Sequence, residues 1–244
     1  MIEVFKTTPL WESLRTARDM GHGTLLVLGI ERACFGKSVK DVTEIVMTRF
    51  GKVIMPYQDP TELTRFIERV AAEKPKVVLE IGTARGGTLF LLSRVADPTA
   101  IIISLDLPGG KFGGGYPAWK STLFRKIVGP KQTLHLIRGN SHEHSSFEAV
   151  SRALAGRAVD VLFIDADHSY EGVKTDLLQY QSLVRPGGIV GFHDIIENKF
   201  DREIDVARFW NEIKKNNDVE EIVTDYHQGR YGIGLIRAPV CVQA

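Results

Sequence analysis

Only two cysteines, Cys34 and Cys241, occur in the 244 residues, far apart and in no CxxC pair. Their scarcity excludes a disulfide framework or a cysteine-rich zinc site and fits a reducing cytosol. Charge of one sign is missing too: 31 Lys and Arg stand against 30 Asp and Glu, a formal net charge of +1. No global field therefore draws the chain to nucleic acid or to an anionic membrane. The opening "MIEVFKTTPLWESLR" lacks the apolar core of a signal peptide, and "LLVLGI" is too short to span a bilayer. A soluble, cytoplasmic protein is expected. Linkers, repeats and low-complexity segments are absent. What is present is 43% hydrophobic residues, enough for a packed core, and length for one large domain with a small N-terminal addition.

From residue 76 onward, short β-rich runs alternate with helical patterns. Strands are predicted at 76–81, 100–105, 132–137, 159–164 and 188–193, and their near-continuous apolar character suits burial on both faces of a parallel sheet. Between them, "SYEGVKTDLLQYQSLV" spaces Val173, Leu177, Tyr180 and Val184 as a helix stopped by "RPGG". "FEAVSRALAG" is helical up to Gly156. The alternation predicts a doubly wound, mostly parallel α/β sheet. "VEEIVTDYHQGRYGIGLIR" reads as two further strands joined by a short turn, the last one reversed, for seven in all. Upstream, Asp59 is a predicted N-cap, Pro60 the first helical residue and Glu62 the closing member of a capping box. With the stripe Val39, Val42, Val46 and Phe50, this predicts a helical N-terminal cap over 1–56 packed on a core domain over 57–244.

"VVLEIGTARGGT" follows the order strand, glycine turn, helix, which lets a ligand approach main-chain amides. The dinucleotide fingerprint wants glycine at its third position, where Ala84 stands, so a pyrophosphate site is incomplete. Glu80 also suits a ligand with a positive end better than a phosphate. Asp106, ending "SLD" about 20 positions on, is placed to accept from ribose hydroxyls; the plainer role is a loop cap. Together these imply an adenosine-containing ligand with no essential pyrophosphate.

Two polar clusters end strands four and five, "FIDADHSYE" and "GGIVGFHDI". If the strands are neighbours, their tips lie roughly 4.8 Å apart. Asp165 and the pair His193–Asp194 could then share a cation.

"VLEIGTARGGT" with "SLDL" resembles the S-adenosylmethionine site of class I methyltransferases, over roughly residues 57–236. The resemblance implies that Glu80, Gly82, Thr83 and Gly86 form the turn at the amino-acid end and that Asp106 holds the ribose. It places Asn140 and Ser141 beside the adenine and Asp165 at the cofactor's edge. "IDADHSYEGVKTDL" and "PGGIVGFHDI" are similar to the cephalosporin-hydroxylase-like and macrolide-sugar O-methyltransferases. That likeness implies a divalent ion, magnesium or manganese, on Asp165, His193 and Asp194, with His168 as base. His193 departs from the usual carboxylate, and imidazole suits manganese, iron or zinc better than magnesium. For His168 a helix-cap or surface position and a metal-ligand role stay open. His142 and His144 are expected in solvent, and Gln58 is expected to reach the cofactor from the cap. The glycine-rich loop 106–120 reads as a lid, with Tyr116 and Trp119 either touching the acceptor or anchoring the loop.

These readings predict a metal-assisted O-methyltransferase acting on a small hydroxylated acceptor such as a sugar, glycan or polyketide-like compound. Neither nucleic acid nor membrane is an expected partner, and a homo-oligomer is left open. The alternatives are a metal-independent N- or carboxyl-methyltransferase, a nicotinamide-dependent oxidoreductase, and an inactive binding protein on the same fold.

Overall fold

Five apolar runs form parallel strands because both of their faces are covered. They are β1 (Val77–Ile81), β2 (Ile101–Asp106), β3 (Thr133–Arg138), β4 (Val159–Ile164) and β5 (Val184–His193). With β6 (Val219–Ile222) and β7 (Ile233–Arg237) they make one sheet in the order β3-β2-β1-β4-β5-β7-β6. As expected, the last strand is reversed: β7 inserts between β5 and β6 and runs antiparallel to both. The computed structural model describes residues 29–30, 32–49, 51–112 and 115–242. Most of the predicted cap, with "LLVL" of the apolar run at 25–30 and with Phe50, lies outside these residues.

Helices α1 (Val39–Thr48), α2 (Pro60–Glu73), α3 (Gly87–Val95) and α4 (Lys120–Ile127) cover one face of the sheet. The apolar stripe of α2, with Leu63, Phe66, Ile67 and Val70, is fully buried there beside Val46 of α1 and Phe90 of α3. On the other face lie α5 (His144–Leu154), α6 (Tyr170–Tyr180) and α7 (Val206–Ile213), packed through Val150, Leu177, Tyr180 and Trp210. The chain runs outward from β1 to β3, returns to β4 beside β1 and continues to β5. This reversal opens a crevice above the carboxyl ends of β1 and β4, where ligands bind in such sheets. No described helix is long and apolar enough to cross a membrane.

Four local expectations are corrected. The helix predicted to 184 stops at Tyr180, a 3₁₀ turn covers Gln181–Leu183, and β5 starts at Val184, which pairs with Val159. Pro186 favours extended backbone in the residue before it, which shortens the helix and lengthens the strand. The β6–β7 connection is no short turn but spans residues 223–232.

The reason for that length appears at Glu62. Asp59 caps α2 by accepting from the Thr61 and Glu62 amides at 2.8 and 3.0 Å, with Pro60 first in the helix. The Glu62 side chain, however, does not turn back to close a capping box. Fully buried, it accepts from Thr224 N, Gln228 Nε2 and Gly232 N at 2.8, 2.8 and 2.9 Å. Donors of the 223–232 segment need an acceptor where water does not reach, and α2 supplies it.

His142 is the fourth correction: it is only partly exposed to solvent. Its Nε2 lies 3.5 Å from Asp176 of α6, a carboxylate with no exposure. Burial pushes the Asp176 pKa up to about 6. His144, by contrast, projects into solvent as expected, its side chain 83% exposed.

Two outcomes are expected. Glu62→Ala leaves two backbone donors unsatisfied at about 1–3 kcal/mol each. Thermal unfolding should then fall by roughly 10 °C, and a shift under 2 °C would contradict the tethering role. For Asp176 the folded pKa is raised above that of an unfolded aspartate, so its stabilising contribution is full at low pH and is lost as pH rises through about 6. Asp176→Asn cannot ionise, so its stability relative to wild type should improve between pH 5 and pH 8 by on the order of 1 kcal/mol. A difference between the two proteins that is flat across pH would refute this.

Candidate functional site

Register brings the two polar clusters together. Ile164 of β4 stands opposite Phe192 of β5, so Asp165 and His193 emerge side by side. His193 Nδ1 lies 3.0 Å from Asp165 Oδ1 and 3.5 Å from Asp194 Oδ2, and His168 Nδ1 lies 2.8 Å from the same Asp194 oxygen. One potential ligand atom from each of Asp165, His168, His193 and Asp194 falls within 4.8 Å of the others. Asp194 takes left-handed backbone at φ 60°, uncommon for a non-glycine residue, and its other oxygen accepts from Tyr231 N at 3.2 Å. Gln58 reaches in from the opposite side, donating to Asp165 Oδ2 at 2.9 Å and to Thr88 Oγ1 at 3.4 Å.

Electrostatics binds these groups into a unit. Burial alone would keep His193 neutral, but the Asp165 and Asp194 carboxylates outweigh it and hold its pKa well above the usual imidazole range. Burial likewise opposes protonation of His168, and the Asp194 hydrogen bond with the Asp165 charge raises its pKa nevertheless. At Asp194 burial acts upward, yet the His193 charge and the His168 contact hold the carboxyl well below its ordinary value. His193 is 3% exposed, and neither of its ring nitrogens makes a well-directed hydrogen bond. Two carboxylates and an imidazole with no directed partner fit a divalent cation, and the nitrogen donors favour manganese, iron or zinc over magnesium.

The glycine turn lies at the other end of the same cavity, whose volume is about 860 Å³. Pockets of roughly 300–1,000 Å³ suit small ligands. Gly82 has φ 92°, and a β-carbon there would lie 1.9 Å from the Asp165 carbonyl oxygen. Thr83 donates to buried Glu80 at 2.7 Å, while the second Glu80 oxygen has no partner and burial drives this carboxyl well above its usual pKa. Asp106 accepts from Ala84 N at 2.8 Å and from Gly115 N at 2.9 Å, and burial raises its pKa too. Gly82, Thr83, Asp106, Asn140, Ser141 and Asp165 all line the cavity, together with the His168, His193 and Asp194 group. Glu80 and Gly86 do not. Glu80 braces Thr83 from behind the wall, and Gly86, at φ 87°, leaves room for the Phe124 ring, 2.3 Å from where a β-carbon would sit.

The loop aromatics anchor rather than line. Tyr116 is buried with its ring 4.7 Å from that of Phe124, and Trp119 packs on the same core. The loop instead offers Phe112, edge-on to His168 at 5.2 Å. Sequence reasoning missed Thr88, Arg85, Phe112, Arg230 and Tyr231 on the cavity wall. For Thr88 the closing residue of "ARGGT" was a usable signal; "GRYG" offered only its glycines, as turn markers.

Residues 79–195 match the family described as a methyltransferase domain. The uncharacterised protein R132 of Acanthamoeba polyphaga mimivirus is 28% identical over 153 residues, which cover 63% of this chain and 62% of that protein. The chain thus spans less than two thirds of this relative. Among solved structures, the O-methyltransferase TomG from Streptomyces achromogenes, involved in tomaymycin synthesis and in complex with SAM, has a TM-score of 0.54 at 17% identity, covering 82% of this chain and 89% of TomG. An O-methyltransferase from Bacillus cereus in complex with SAH has a TM-score of 0.53 at 16% identity, covering 89% of this chain and 99% of its own. These two likenesses bear on the fold. The domain match runs from within β1 to just past β5, just under half of the chain, and takes in the glycine turn, Asp106 and both strand-tip clusters, so that over this stretch the chain is similar to methyltransferases.

Proposed function

We propose that the protein methylates a hydroxyl group of a small acceptor of the sugar, glycan or polyketide type, assisted by a divalent ion. The observation that carries this reading is the placing of the Asp165, His168, His193 and Asp194 group in one cavity with Gly82 and Asp106. Asp165, His193 and Asp194 would hold the ion, which when bound stabilises negative charge on the acceptor oxygen. S-adenosylmethionine supplies a methyl group already activated as a sulfonium, so the chain's task is alignment and proton removal. Gly82, Thr83 and Asp106 would seat its amino-acid and ribose portions, with Asn140 and Ser141 at the adenine.

His168 acts as the base. Its Nδ1 is engaged by Asp194, which leaves Nε2 to accept the hydroxyl proton. Phe112, against one edge of the imidazole, limits its movement and keeps water from that side.

A second reading has its own support. The two carboxylates and two imidazoles can balance charge among themselves, so His193 and Asp194 could orient an acceptor with no ion at all. Chelation separates the two. With S-adenosylmethionine and a panel of hydroxylated sugars and catechols, mass spectrometry should detect methylated product that EDTA abolishes and manganese restores better than magnesium. Turnover indifferent to EDTA would favour the metal-free reading. His168→Ala should lower kcat by about 10²–10⁴-fold while S-adenosylhomocysteine still binds. Unchanged kcat in that variant would remove the base assignment and leave the family assignment standing.

A further inference from the structure

Residues 229–232, "GRYG", form a rigid ledge on the cavity wall. Gly229 O accepts from Lys199 N at 2.9 Å and Tyr231 O accepts from Ile196 N at 3.0 Å. Tyr231 N donates to Asp194 at 3.2 Å, and Gly232 N donates to Glu62 at 2.9 Å. From this ledge the Arg230 guanidinium lies 4.6 Å from the centre of the Tyr231 ring and 5.6 Å from that of Phe200. The Tyr231 ring in turn lies 5.8 Å from that of His193, so Tyr231 stands between Arg230 and the strand-tip cluster. Phe200, 76% exposed, is a large apolar ring at the same cavity mouth.

Other charged residues stand on the cavity wall with Arg230. Lys111 is paired with Glu203 at 2.8 Å, and Asp201 accepts from the Glu203 amide at 3.0 Å. Among the described residues, no carboxylate forms an ion pair with Arg230; its partners are the two rings. A guanidinium held over aromatic rings through cation–π contact still has N–H groups for a planar anion, which it can grip through two hydrogen bonds. Arg85 repeats the arrangement on the same wall, 4.7 Å over the Tyr57 ring and donating to its hydroxyl at 2.6 Å.

We infer that the acceptor is an anion: a hydroxylated ring compound bearing a carboxylate or phosphate. Arg230 receives the anionic group, Phe200 and Tyr231 face the ring, and the hydroxyl reaches His168. This rests on the methyl-transfer reading above and adds the substrate class. It also explains why an exposed phenylalanine stands at the cavity mouth beside an arginine that forms no ion pair with a described carboxylate.

Titration calorimetry on the full chain saturated with S-adenosylhomocysteine tests it. The probes are glucose against glucuronic acid and glucose 6-phosphate, and catechol against 3,4-dihydroxybenzoate. The anionic members should bind at least about tenfold more tightly than the neutral ones, as charge-assisted hydrogen bonds allow. The two sugar anions show whether carboxylate or phosphate is preferred. Arg230→Gln should reduce the preference to threefold or less with an unchanged unfolding temperature, and Arg230→Lys should keep part of it. Equal binding of neutral and anionic members, no binding of any anion at millimolar concentration, or an undiminished preference in Arg230→Gln overturns the inference. If S-adenosylhomocysteine itself fails to bind, the underlying methyltransferase assignment falls, a result read independently in the first titration.

Discussion

Charge that burial cannot leave unpaired governs this molecule. Asp165, His193 and Asp194 stand at adjoining strand tips, with His193 and Asp194 almost without exposure. Isolated, any one of them would be expensive to bury; together they offset one another through contacts of 3.0 and 3.5 Å. The β4–β5 register is what makes this possible. A slip by one residue would carry His193 to the other face of the sheet and strand a carboxylate in the crevice. The apolar strands thus hold in place a polar group they have no chemical affinity for.

Holding the tips together also requires support from outside the sheet. Glu62 supplies it from α2, whose apolar stripe is locked into the core beneath. Its carboxylate gathers the 223–232 connection, and that connection returns Tyr231 N to Asp194. Gln58, just before the helix, holds Asp165 from the opposite side. The helix before β1 and the residues leading into it therefore support both proposed carboxylate ligands.

This arrangement explains what could be read in the sequence. The strands, the Asp59 cap and the meeting of Asp165 with His193 and Asp194 were legible because they depend on local pattern plus one topological rule. Glu62 was misread because its position matched a local motif while its partners lay more than 160 residues away. His142 failed in the same manner: nothing near "RGNSHEH" announces the buried Asp176 on α6. Tyr116 and Phe112 share one glycine-rich loop, and only packing on Phe124 decides which faces the core and which the cavity. Arg230 was invisible because nothing near "GRYG" announces the cavity wall or the distant Phe200 ring beside it.

Asp106 joins the two ends of the cavity. One of its oxygens takes the Ala84 amide of the glycine turn, and the other takes the Gly115 amide of the loop that also carries Phe112. A carboxylate offers about four acceptor sites, so ribose hydroxyls can be added without surrendering either amide. Hydroxyl donors to Asp106 would favour its ionised form, and hydrogen bonds to an ionised acceptor are the stronger kind. Burial, by contrast, pulls this carboxyl toward its protonated form, and every added donor opposes that pull. If Asp106 seats the nucleoside as proposed, that seating and the Gly115 end of the loop draw on the same carboxylate.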